Sequence, residues 1–108
     1  TQEQIYNVAW SGDRELDKTG KLAPLKNTVD VKAATYTNTI GDQEFATVWE
    51  DPNFNPAERA VYYVRVLEIP TPRYSTMASA KLGQDPWVGA DPIIQERAYS
   101  SPIWYTPN

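Results

Sequence analysis

Few residues in this sequence are suited to chemistry, and the two commonest catalytic types are absent. The 108 residues include no His and no Cys. This removes the most frequent general base, any thiolate nucleophile and the usual ligands of zinc. A Ser-His-Asp triad is impossible, and zinc or iron sites built from carboxylates alone are rare. We predict that this chain alone is not an enzyme and holds no cofactor.

One spacing suggests a metal site. Asp51, Asn53 and Asn55 stand at i, i+2 and i+4, like the start of a calcium-binding loop. That loop needs Gly at its sixth position and Glu at its twelfth, where this chain has Pro56 and Tyr62. A proline-bounded corner between strands, with Asp51 as turn-former, is therefore favoured, and calcium is the open alternative.

Charge and hydropathy bound the class of partner. The chain has 10 basic and 14 acidic residues, a net charge of −4 and no dense basic run, so nucleic acid is disfavoured. No apolar stretch approaches the ~20 residues that span a bilayer. Gly20-Lys21 lacks the spacing of a phosphate-binding loop and predicts an exposed hairpin tip instead.

Alternating apolar residues predict five β-strands, at 4–10, 27–38, 44–50, 59–67 and 95–105. The fourth belongs to the longest uninterrupted run of strand-forming residues, 59–72, and is expected to be central. Pro102 in the fifth predicts an edge strand or a bulge. If these two strands pair, the expected partners are Glu68 with Arg97, Val66 with Tyr99, and Tyr62 with Ile103. Residues 71–94 form a long connection, in which one or two helical turns through Leu82 are ended by Gly83.

Together these elements predict one all-β domain over residues 1–108, an antiparallel β-sandwich of the immunoglobulin or fibronectin type. In such folds a tyrosine of the penultimate strand ties down the preceding corner, a role that Tyr62 matches. Trp10, Trp49 and Trp104 are expected to pack in the core or between the sheets, and Arg65 to form a cross-strand ion pair or stack on Tyr63.

The candidate contact residues follow the central strand. Glu68 and Arg73 bracket Pro70 and Pro72, which form a stiff segment at one end of the predicted sandwich. Tyr74 comes next, and Trp87 lies in the long connection after Asp85-Pro86. We therefore predict four candidate interface or ligand contacts, Glu68, Arg73, Tyr74 and Trp87. Long connections in small domains are often functional.

Several long motifs resemble the carboxy-terminal end of a bacterial family, domain of unknown function 3604. They are Ala9–Arg14, Asn27–Val31, Thr35–Gly41, Val48–Phe54, Arg59–Arg73 and Gln95–Pro107. These motifs are spread along the chain, so the resemblance extends over nearly its whole length. The chain departs from the family pattern at Tyr74, where Trp is more frequent, and at Val61, where Phe is usual.

This resemblance implies that the chain is a fragment of a larger protein, related to PHP-type metal-dependent phosphoesterases and often exported. A periplasmic or secreted location follows. The expected partner is an amino-terminal domain of the same protein, and the expected role is that of a non-catalytic accessory domain. A first strand would then be missing, which would leave an edge open to self-association. The alternative is a self-contained carbohydrate- or protein-binding module that uses loop aromatics.

Overall fold

The computed structural model describes residues 2–108. Its strands and helix are, in chain order, β1 (Ala60–Tyr62), β2 (Arg65–Leu67), β3 (Thr71–Pro72), α1 (Tyr74–Lys81), β4 (Ile93–Ile94), β5 (Arg97–Tyr99) and β6 (Ile103–Tyr105). The strands pair antiparallel as β1 with β6, β2 with β5 and β3 with β4. These three two-stranded sheets follow one another along a single hairpin, residues 60–72 against 93–105, which we call the ribbon.

Two irregularities divide the ribbon: a β-bulge between β1 and β2, and a second between β2 and β3, where residues 68–70 stand opposite 95–96. Tyr62 pairs with Ile103 but Arg65 pairs with Tyr99, so Ser101 and Pro102 together stand opposite Tyr63. A proline has no N–H to give to a ladder, and a bulge leaves that position unpaired. The bulge predicted at Pro102 is therefore confirmed. The expected pairing of Tyr62 with Ile103 is correct, whereas beyond the bulge the pairing is displaced by one residue, and Arg97 faces Leu67 rather than Glu68.

Ser100 holds the edge of this bulge. Its Oγ accepts a hydrogen bond of 2.8 Å from the backbone N–H of Val64, and its own N–H donates to the Val64 carbonyl at 2.9 Å. Ser100→Ala removes the first bond, and we expect the free energy of unfolding to fall by about 1 kcal/mol. Ser101→Ala is the matched control. Equal stability of the two variants in chemical denaturation would show that the Ser100 hydroxyl does not hold the bulge.

The connection at the tip of the ribbon is more regular than predicted. Residues 71–94 contain two strands and the helix α1, which follows Arg73, ends at Lys81 and has Leu82 as its C-cap. Gly83 adopts φ +66°, and the N–H groups of Gly83 and Gln84 donate to the carbonyls of Ala80 and Ser79. This glycine cap confirms the predicted end of the helix, because only glycine takes the left-handed conformation without strain.

Residues 2–59 form no ladder, so the strands predicted at 4–10, 27–38 and 44–50 are wrong. Within 27–38 there is one isolated bridge, Asp30 with Thr35, and a second joins Leu16 with Leu22. The latter closes the predicted hairpin tip around Gly20. Alternation records only a preference for extended backbone, and a strand also requires a neighbour to pair with. The two facing sheets of the predicted sandwich are consequently not formed within residues 2–108.

The described part of the chain, residues 2–108, is extended and has no apolar core. Its axes measure 62 × 28 × 24 Å and its radius of gyration is 18.4 Å, against about 13 Å for a compact domain of this length. Among residues 2–108 no Ala, Val, Ile, Leu, Met, Phe, Trp or Tyr is buried. The buried positions are Ser11, Pro70, Pro72 and Thr76. The apolar residues therefore lie mostly on the surface.

Candidate interaction surface

One face of the ribbon carries a row of exposed apolar side chains. Period-two alternation and the observed pairing place on it Val61, Tyr63, Leu67, Tyr99 and Trp104. All five are exposed, from 46% for Val61 to 74% for Trp104. The prediction that Trp104 packs in a core is thus wrong. We call this set the Val61 face.

The opposite face is partly covered by the corner that precedes the ribbon. The rings of Trp49 and Tyr62 lie 6.4 Å apart, edge to face, and Tyr6 packs on Trp49 at 4.9 Å. At the ribbon's open end, Phe54 meets Tyr105 at 4.9 Å and the Tyr105 hydroxyl donates to the Pro56 carbonyl. These aromatic contacts dock residues 49–56 onto the ribbon.

The predicted tie between Tyr62 and the corner is present. The Tyr62 hydroxyl donates a hydrogen bond of 2.7 Å to Oδ2 of Asp51. Oδ1 of Asp51 accepts from the Asn53 N–H at 2.8 Å, which confirms Asp51 as a turn-former. The hydrogen bond to Asp51, aided by desolvation and by the carboxylate's charge, raises the pKa of Tyr62 above 10.0.

The Tyr62 hydroxyl should therefore ionise at a higher pH than that of an ordinary tyrosine. Its pKa is raised in the folded state, so its contribution to stability is complete below pH 10 and is lost as pH rises through the folded pKa. Asp51→Asn should lower this pKa. Ultraviolet titration measures it, with Tyr62→Phe as the reference that identifies the Tyr62 signal. An unchanged titration in Asp51→Asn would contradict the tie.

Electrostatic contacts elsewhere are sparse. Between residues 2 and 108 the one salt bridge joins Arg65 to Glu3, at 3.8 Å. The Arg65 guanidinium also lies 6.0 Å from the Tyr63 ring centre, which confirms the predicted stack on Tyr63. The ion pair is not the cross-strand one expected, because Glu3 lies outside the strands. At the hairpin tip, the Thr19 hydroxyl and the N–H groups of Lys21 and Thr19 lower the pKa of Asp17. Charge alone contributes little to holding this surface together.

The four predicted contact residues lie around the tip of the ribbon. Glu68 is exposed and follows β2, and its N–H donates to the Glu96 carbonyl. Arg73 donates from Nε to the Asp91 carbonyl at 2.6 Å, so it closes the tip loop. Tyr74 opens α1 and is 80% exposed. Trp87 is 64% exposed, and its ring lies against Gly89. Within residues 2–108 no hydrogen bond or ring contact joins these four to one another.

Two tertiary contacts went unnoticed in the sequence. Gly41, at φ +82°, lies so close to Ile69 that an added β-carbon would be 2.7 Å from its Cγ2. Thr76, 1% exposed, donates to the Pro92 carbonyl at 2.8 Å, and that carbonyl also accepts from the Arg73 N–H at 2.9 Å. The only available signal was the residue type, since a glycine after a β-branched run often marks a close approach.

Neither a metal centre nor a membrane span emerges from the described part of the chain. Across residues 2–108 no three His, Cys, Asp or Glu side chains gather as metal ligands would. The same residues contain no helix with the length and hydropathy needed to cross a bilayer.

Comparison with known proteins gives one result. A family model described as "Protein of unknown function (DUF3604)" matches residues 1–107. No curated protein and no solved structure matches the chain significantly. Because the match spans all but the last residue, it confirms the resemblance on which the sequence motifs agreed. The chain belongs to the DUF3604 family of proteins of unknown function.

Proposed function

We propose that this chain is a non-catalytic accessory segment that packs its exposed ribbon against another domain of the same protein. The observation that carries the proposal is a globular composition without a globular core. Hydrophobic residues make up 41% of the sequence, yet none is buried in residues 2–108. An isolated two-stranded ribbon is at best marginally stable in water, so it needs a covering surface.

The accessible area gives the size of that surface. The chain exposes 9311 Å², whereas a compact protein of 12.2 kDa exposes about 6,100 Å². The excess is roughly 3,000 Å², while a standard protein–protein interface buries about 800 Å² on each partner. An excess of this size is typical of the extensive, apolar contact between two domains that fold as one unit. A transient encounter buries much less area.

The Val61 face is the best candidate for the contact. Its valine, leucine and aromatic side chains are all exposed, and they share the face with Arg65 and Arg97. Among the described residues, Glu3 contacts this face at the Tyr63 hydroxyl and at Arg65. Aromatic side chains supply most of the energy in interface cores. We infer that strands of the partner domain cover this face and complete the immunoglobulin- or fibronectin-like sandwich that the sequence pattern favours.

The nature of the partner follows from the resemblance to PHP-type enzymes. We propose that it is a bacterial, metal-dependent, hydrolase-like domain that precedes this segment in an exported protein. The segment would then support that domain through the Val61 face, while Glu68, Arg73, Tyr74 and Trp87, at the tip of the ribbon, would lie beyond this contact as candidate ligand contacts. The lack of His and Cys in this chain agrees with a supporting role.

Trp104→Asp tests the contact in the protein at its natural length. A charge buried in an apolar interface without a partner should lower the free energy of unfolding by about 3 kcal/mol or more. Val88→Asp is the matched control, because Val88 is 99% exposed on the tip loop, and should change stability by no more than about 0.5 kcal/mol. Equal denaturation midpoints for both variants would contradict the proposal.

A second candidate function is a self-contained binding module. The observation in its favour is the exposed ring of Trp87 on the tip loop, close in sequence to the exposed Val88, because exposed rings can stack on sugars. A glycan array would decide between the two. Saturable binding that Trp87→Ala abolishes favours the module, and absence of binding with a destabilised Trp104→Asp variant favours the accessory segment.

A further inference from the structure

A cleft beside the hairpin of residues 16–22 has a charge opposite to that of the chain. It encloses about 380 Å³, and its polar side chains are Ser11, Arg14, Lys26 and Thr39. None of the residues that line it is acidic, although the chain as a whole has a net charge of −4. Two cations facing one cavity without a carboxylate create a local positive potential.

Arg14 is fixed in position by neutral groups alone. Its Nε donates to the Ser11 carbonyl at 3.2 Å, and one Nη donates to the Ala23 carbonyl at 2.9 Å. The other Nη makes a longer contact, 3.5 Å, with the Ser11 Oγ. A guanidinium has five N–H donors, so two remain. No carboxylate within the described residues 2–108 forms a salt bridge with Arg14 or Lys26.

The surroundings of Arg14 keep its guanidinium in place. The Trp10 indole N–H donates to the Arg14 carbonyl at 2.6 Å, which closes the turn through Gly12. Ser11 is only 4% exposed, and its Oγ accepts from Arg14, so the hydroxyl proton can still be donated. Gly12 and Gly41, both at positive φ, line the cleft without side chains that would obstruct it.

We propose that this cleft binds a small oxyanion, a phosphate or a carboxylate group, between Arg14 and Lys26. The two remaining guanidinium donors form a fork of the kind that pairs with two oxygens of one anion. The Lys26 ammonium contributes charge from the other side, and the Ser11 hydroxyl a further donor. The proposal does not depend on the docking of the Val61 face.

Titration with inorganic phosphate, followed by the arginine Nε and backbone amide resonances of the natural-length protein, tests the cleft. Sodium chloride of matched ionic strength corrects for screening. We expect saturable shifts at Arg14 and Gly12. Lys26→Gln should weaken binding about threefold, as for an exposed charge, and Arg14→Lys about tenfold, because the fork is lost.

Lys18→Gln is the control, since Lys18 carries the same charge and does not line the cleft. Acetate in place of phosphate identifies a carboxylate as the source if it binds with the same order of variants. Shifts that never saturate, or equal weakening by Lys18→Gln and Lys26→Gln, would overturn the proposal. Should Arg14→Lys fail to fold, the comparison of the two glutamine variants decides.

Discussion

Gly41→Ala is expected to lower the free energy of unfolding by about 3 kcal/mol, because two costs add. Gly41 adopts φ +82°, and an alanine β-carbon would stand 2.7 Å from Cγ2 of Ile69. The left-handed conformation costs alanine about 1–2 kcal/mol. The methyl group of a β-branched side chain cannot turn away freely, so the clash adds about 1–2 kcal/mol more. Chemical denaturation of the natural-length protein measures the sum.

Gly20→Ala separates the two costs. Gly20 has nearly the same φ, +79°, but nothing lies within 4 Å of an added β-carbon. Gly20→Ala should lower the free energy of unfolding only by the cost of the left-handed conformation, about 1 kcal/mol. Ile69→Ala combined with Gly41→Ala should recover the part due to the clash. If Gly41→Ala and Gly20→Ala cost the same, residues 40–41 do not pack on the ribbon at Ile69.

Thr76→Ala should lower the free energy of unfolding by about 2–3 kcal/mol. Thr76 is 1% exposed, and its hydroxyl donates to the Pro92 carbonyl at 2.8 Å. Alanine removes both this hydrogen bond and a buried methyl group. Thr76→Val, which keeps the shape, should lose only the hydrogen bond, about 1–1.5 kcal/mol.

Ser75→Ala is the control for Thr76, since the Ser75 hydroxyl is not among the hydrogen-bonded groups of residues 2–108. We expect its stability to stay within about 0.5 kcal/mol of the parent. Hydrogen exchange at the Arg73 amide, which donates to the same Pro92 carbonyl, should accelerate in Thr76→Val and not in Ser75→Ala. A Thr76→Val variant as stable as Ser75→Ala would show that this bond does not close the tip.

Local features of this chain were predictable because their causes lie within a few residues. Gly83 ends α1 as expected, since the cap is set by the conformation of one glycine. Asp51 forms its turn through its own side chain. The pairing of Tyr62 with Ile103 also followed from pattern, because apolar residues on both strands favour that register.

Features with distant causes were not predictable. The bulge at Ser101-Pro102 was expected, but its effect on the pairing of Arg97 depends on how many residues it inserts. The segment 44–50 alternates as a strand should, yet it has no partner to pair with among the described residues. The contact of Gly41 with Ile69 and that of Arg14 with Ala23 join parts of the chain whose pairing no local pattern encodes.

On the candidate surface, too, contacts with local causes were predictable and those with distant causes were not. Arg65 and Tyr62 have their expected partners, because these lie on the strand itself or in the adjoining corner. The hydrogen bond from Arg73 Nε to the Asp91 carbonyl of the tip loop was not expected, and the role of Arg73 as a contact residue stays a prediction. Trp104 was predicted to be buried and is 74% exposed. Burial depends on what covers a strand, and the covering surface is not contained in the pattern of the strand.

The central claim is that another domain covers the Val61 face, and oxidative footprinting of the natural-length protein tests it most directly. Trp104 and Leu67, which are 74% and 52% exposed in this chain, should react slowly, while Val88 on the tip loop should react at the rate of a free side chain. Fast oxidation of Trp104 and Leu67, equal to that in the separate 108-residue chain, would contradict the account.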